Sequence, residues 1–140
     1  LDRVERGVRP DRLDVDPSLA DLAGPVSDQV QALRSAAEGE LRRHGKAITT
    51  AQRSQKRLAE AAMDIVAQVA TLSRMSTTVT ERGHDMSAPD RYVAETFCTR
   101  AARRVERNLG HLGHPDDERQ HTIARDAIDA GGYRYEILPL

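Results

Sequence analysis

Three histidines, His111, His114 and His121, lie close to the carboxylates Asp117 and Glu118. Imidazole with carboxylate is the donor set of zinc and other divalent-metal sites. On an uninterrupted helix, positions 114, 117, 118 and 121 would share one face. Pro115, however, puts His114 ahead of a helix start, where Asp116, Asp117 and Glu118 already act as favourable charges on the first turn. We read a solvated loop and helix start there and assign no metal ligand. Cys98 is the single cysteine. His111 stands several helical turns beyond it, so no base is at hand to make a thiolate, and a buried structural cysteine is expected. Glu60 and Asp64, one turn apart, form a formal pair for general acid–base work, but Lys56 and Arg57 beside them make ion pairing the simpler expectation. Arg100, Arg103, Arg104 and Arg107 form a basic ridge with Glu95 and Glu106 interspersed. A phosphate or an acidic partner would suit that ridge, yet a solvated face whose arginine stems cover apolar neighbours is the expected role. There is no GxSxG elbow, no glycine-rich phosphate loop after a strand, and no aromatic platform for bases. No catalytic, cofactor-binding or metal residue is named.

The elements that position these side chains follow from composition and period. The chain has 140 residues, enough for one domain with a single core. It is 39% hydrophobic but only 3% aromatic, so Leu, Ile, Val and Ala must build that core. The 21 basic and 22 acidic residues nearly cancel to a formal charge of -1, without the basic excess of a nucleic-acid binder. One cysteine rules out an internal disulfide and fits a reducing, cytoplasmic compartment. No run approaches the length of a membrane-spanning helix, and no signal-peptide pattern opens the chain. The sequence begins at Leu1 and its first methionine is Met63, so an upstream portion is expected.

Residues 1–16, with Arg3, Arg6, Arg9 and Arg12 at every third position, read as a linker from that upstream portion. Residues 17–132 read as a helical bundle, and residues 133–140, the only strand-like alternation, as an extended C-terminal tail. Asp16 and Pro17 signal the first helix start, with a turn or kink expected at Gly24 and Pro25. Leu19, Leu22, Val26, Val30, Leu33, Ala37 and Leu41 then share one face as far as Gly45. A second helix starts at Thr49 or Thr50 and runs to Gly83, with a heptad seam of Leu58, Ala62, Ile65, Val69, Leu72, Ser76 and Val79. A third opens at Ser87, Ala88 and Pro89, and its stripe is Val93, Phe97, Ala101, Val105, Leu109 and Leu112. The fourth starts at Pro115, turns Ile123, Ala124, Ala127 and Ile128 inward, and stops at Gly131 and Gly132. With short connections the fold expected is all-α, an antiparallel up-and-down four-helix bundle.

Two segments carry a further likeness: LRRHGKAITTAQRSQKRLAEAAMDIVAQVATLSRMS, from Leu41 to Ser76, and YVAETFCTRAARRVERNL, from Tyr92 to Leu109. Together with the Gly131–Gly132 ending they resemble the C-terminal helical domain of very-long-chain acyl-CoA dehydrogenases, over roughly Asp16 to Leu140. The resemblance implies a parent oxidoreductase of fatty acid beta-oxidation, a flavoprotein that uses FAD to convert long-chain acyl-CoA to trans-2-enoyl-CoA and passes electrons to an electron-transfer flavoprotein. Catalytic and flavin contacts in that family belong to the upstream core, so none is carried onto this chain. The resemblance also implies packing against the dehydrogenase core of a homodimer and leaves peripheral membrane contact through the arginine-bearing linker open. The alternative from a different class is a free-standing helical protein-interaction module.

Overall fold

A computed structural model describes residues 13–132. The expected linker and its arginines at 3, 6, 9 and 12, and the expected tail 133–140, fall largely or wholly outside the described residues. The chain is all-α. Asp16 caps a short 3₁₀ turn, Pro17–Leu19, its carboxylate accepting from the Ser18 N–H at 2.9 Å. Helix α1 follows over Ala20–His44, another 3₁₀ turn covers Gly45–Thr50, and then come α2 (Gln52–Arg82), α3 (His84–Gly110) and α4 (Pro115–Asp129). The expected kink at Gly24 and Pro25 does not break α1, which contains Pro25 and runs on to His44. Pro89 is likewise inside α3, which starts earlier than the Ser87 signal indicated. A single residue, Gly83, joins α2 to α3; its φ of 79° is open to glycine but costly for other residues.

Helices α1, α2 and α3 pack together around the core. Ala23, Val26, Ala61, Ile65, Leu72, Cys98 and Val105 form its larger layer, and Leu19, Met75, Val79 and Ala94 a second. Most buried positions run on a seven-residue period: 19 in the first 3₁₀ turn with 26 and 40 in α1; 54, 61, 68 and 75, with 65, 72 and 79, in α2; 87, 94 and 101, with 98 and 105, in α3. That lattice corrects the expected stripes. Leu41 is 55% exposed and Glu40, at 3%, takes the inward place. Gln68 and Met75 occupy the α2 seam instead of Val69 and Ser76, and Ala94 lies inward while Val93 is exposed. Gln68 is satisfied by a reciprocal amide pair with Gln29 of α1, at 2.8 and 3.4 Å, which is how a buried polar side chain can hold a seam position.

Helix α4 sits at the edge of this assembly. Ile123 and Ile128 are exposed, as is Ala124, whereas all three were expected to face inward. The described attachment of α4 is polar and confined to its first turns. No described helix is long and apolar enough to cross a membrane.

Candidate docking face and the polar end of the bundle

The sequence candidates disperse to structural work. His114 precedes α4 and caps it, its Nδ1 accepting from the Asp116 N–H at 3.3 Å, while its ring meets that of His111 edge-on at 5.6 Å. His121 lies on exposed α4 surface, 3.5 Å from Arg125 Nη2. Among the described residues no three His, Cys, Asp or Glu side chains gather to hold a metal ion. Cys98 is buried between the helices, and burial pushes its thiol pKa up, away from a reactive thiolate.

The charged pairs divide differently from expectation. Glu60 does pair with Lys56, at 3.7 Å. Asp64 turns instead to α3, where the Arg104 guanidinium grips it through Nη2 at 2.6 Å and Nε at 3.0 Å. Arg104 is thereby removed from the basic ridge, and Arg100, Arg103 and Arg107 remain exposed. Arg57 points to Asp117 of α4: its Nη1 donates to one carboxylate oxygen, and its Nη2 to the other at 2.8 Å. The same Nη1 reaches the carbonyl of His111 at the end of α3, so one guanidinium ties three elements. Arg53 adds a contact to Asp117 at 3.2 Å.

Hydrogen bonding from Arg57, outweighing burial and reinforced by Arg53, holds the Asp117 pKa below the usual carboxylate range. A carboxyl with a lowered folded-state pKa stabilises fully above its unfolded value and loses that contribution as pH falls through the folded one. Asp117→Asn is therefore expected to destabilise by about 1 kcal/mol at neutral pH and to flatten the stability profile in the acid range. Chemical denaturation of both proteins at neutral and acid pH checks this, and an equal stability difference at the two pH values would refute the assignment.

Glu40 was not foreseen as part of this end. Its Oε1 receives Arg43 Nη1 at 2.8 Å, while Oε2 has no hydrogen bond, although His44 Nε2 stands 3.3 Å away. Arg43 in turn lies over Gly113 in the turn before α4. A Cβ at that position would sit 1.7 Å from Arg43 Nη1, and the φ of 66° is itself unfavourable for other residues. Gly113→Ala is expected to cost about 1–3 kcal/mol. Adding Arg43→Ala should recover only the steric part, which thermal melts of the single and double variants would separate.

The other surface feature is apolar. On α2, opposite the buried seam, Ala59, Met63, Val66 and Ala70 recur at intervals of four, three and four, all exposed. Met63 is 63% and Val66 67% exposed, and Asp64, drawn to Arg104, is the only charge between Ala61 and Ser73. Beside this strip a shallow groove of about 470 Å³ is lined by Ala70, Met75, Val93 and Ala94 together with the charged Arg74, Arg82 and Asp90. A helix apolar on two opposite faces is one made to be covered on both.

Residues 17–133 match the family described as ACAD9/ACADV, C-terminal domain. The chain is 36% identical over 100 residues, 69% of its length, to the very long-chain specific acyl-CoA dehydrogenase, mitochondrial, of Macaca fascicularis. It is 32% identical over 112 residues, 74% of its length, to that of Bos taurus, and 30% over 123 residues, 84% of its length, to that of Homo sapiens. These matches cover 15%, 17% and 19% of the relatives' own lengths, so the chain corresponds to a small part of each. The chain belongs to the ACAD9/ACADV C-terminal domain family.

Proposed function

We propose that this chain is the non-catalytic docking domain of an FAD-dependent acyl-CoA dehydrogenase, an oxidoreductase of fatty acid beta-oxidation acting on long-chain acyl-CoA. The observation that carries the proposal is the uncharged strip of Ala59, Met63, Val66 and Ala70, set opposite a core that is already complete. Within the chain nothing described covers it. The dehydrogenase core, or the second subunit of a homodimer, is the surface proposed to do so, and burial of Met63 and Val66 would contribute about 1.5–3 kcal/mol each. In this reading residues 1–16 are the linker from the core, residues 17–132 the docking bundle and residues 133–140 its tail.

The flavin is assigned to the upstream core. Electron-transfer flavoprotein is the proposed electron acceptor of the parent. The proposed compartment is aqueous and cytoplasm-like, with contact at a membrane surface through the arginine-bearing linker, whereas the matched animal relatives are described as mitochondrial. Expression of the complete reading frame tests the reading. A yellow protein whose flavin absorbance bleaches on addition of a long-chain acyl-CoA is expected. A colourless product with a start codon just upstream of Leu1 would instead establish a free-standing interaction module.

A further inference from the structure

Helix α4 lacks a cover among the described residues. From Glu118 to Asp129 every residue is exposed except the half-buried Ala127. Ile123, Ala124, Ala127 and Ile128 stand side by side on one flank of the helix, with Ile123 58% and Ile128 78% exposed. The ties that hold α4 lie in its opening turns: the His114 cap, Asp117 with Arg57 and Arg53, and Gln120 with Arg53. A helix of 15 residues is marginal in water unless packing supports its apolar face. That support has to come from outside the described helices.

The way α4 ends points to its source. The Gly132 N–H donates to the Ala127 carbonyl at 2.9 Å and the Gly131 N–H to that of Ile128 at 3.0 Å, with Gly131 at a φ of 73°. This pair of bonds closes a helix on a left-handed glycine and turns the chain out of the helical path, commonly with an apolar residue beyond it touching the last turn. Gly132 has no side chain for that contact, so Tyr133 is the first residue able to make it. Residues 133–140 follow, with Tyr133, Tyr135 and Ile137 alternating with Arg134 and Glu136. Two of the chain's four aromatic residues are concentrated there, next to the one helix whose apolar flank is open. Extended, eight residues span about 26 Å, enough to run the whole of α4, which is about 22 Å long. Laid back along the helix, the segment brings Arg134 level with Asp126, and Glu136 level with the turns that carry Arg119 and Arg125, so opposite charges meet along the rim.

We infer that residues 133–140 run back antiparallel to α4 and dock on Ile123, Ala124 and Ile128, with the Tyr133 and Tyr135 rings as anchors. The C-terminal segment is then the strap that keeps α4 helical, and the strip on α2 stays free for the dehydrogenase core. Neither the parent enzyme nor its flavin enters into this closure, which concerns α4 and the segment after it alone.

Amide hydrogen exchange of the 140-residue chain, compared with a chain ended at Gly132, tests the strap. Amides of residues 122–129 are expected to exchange faster by about tenfold or more in the shorter chain, while those of α1, α2 and α3 keep their rates. The full-length double variant Tyr133→Ser/Tyr135→Ser should reproduce most of that increase, whereas Arg100→Gln, on the exposed ridge of α3, leaves the α4 rates unchanged. Nuclear Overhauser contacts from the Tyr133 or Tyr135 ring to the methyls of Ile123 or Ile128 are expected in the full chain. Equal exchange of α4 in the two chain lengths would overturn the inference. So would protection that grows with protein concentration, which assigns the flank to a second copy, or protection that arises only in the complete protein, which assigns it to the dehydrogenase core.

Discussion

Leu72→Ala is expected to lower the unfolding free energy by about 2–5 kcal/mol and the Tm by on the order of 10 °C. Leu72 is fully enclosed in the larger core layer, among the side chains that join α1, α2 and α3. Removing its isobutyl group leaves a cavity that surrounding alanines are too small to fill. Val66→Ala, one and a half turns away on the exposed face, should change stability by less than about 0.5 kcal/mol. Urea denaturation of the two variants measures the contrast, and comparable losses would mean that the seam has been placed on the wrong side of α2.

That placement was only partly legible in the sequence. Helix number, order and the all-α class follow from Gly and Pro punctuation and from apolar period, and Asp16, Gly83 and Pro115 mark helix boundaries closely. The inward faces were harder to read because the seven-residue lattice passes through Glu40, Ser54, Gln68 and Ser87. Following apolar residues alone shifts the phase onto Leu41, Val69 and Val93. Along α1 and α3 the apolar stripe carries a surplus of four-residue gaps, and because a straight α-helix drifts by roughly 20° per heptad such a stripe leaves the contact line that a strict heptad keeps. Gln68 is admitted by Gln29, a partner on another helix, and no local pattern announces that pair.

The polar end shows the same limit. Arg57 has Glu60 and Asp64 within a turn or two, so local spacing favours pairing along α2. The structure sends Arg57 to Asp117 and Asp64 to Arg104, both distant in sequence. Such bonds depend on how helices lie beside one another, which the sequence pattern alone does not fix. The sequence reading anticipated packing against a dehydrogenase core but gave it no face, and the exposures of Met63 and Val66 supply candidate residues.

Replacing Met63 and Val66 together by glutamate is expected to have opposite consequences in two settings. In the 140-residue chain both side chains already meet solvent, and stability should stay within about 0.5 kcal/mol per substitution. In the complete protein the same change would bury two unpaired carboxylates, at a cost of several kcal/mol. The bundle should then detach from the core, with faster proteolysis in the linker and a lower melting temperature. An unchanged melting temperature and cleavage rate in the complete protein would show that the strip is not an interface.

The most direct measurement is the alkylation rate of a single cysteine introduced as Val66→Cys, compared between the 140-residue chain and the complete protein and localised by peptide mass spectrometry. Cys98, buried in the 140-residue chain, serves as the internal reference. A docking domain predicts rapid labelling at position 66 in the chain alone and protection of at least tenfold in the complete protein, the change that about 1.4 kcal/mol of interface closure would produce. Equal labelling rates in the two would contradict it.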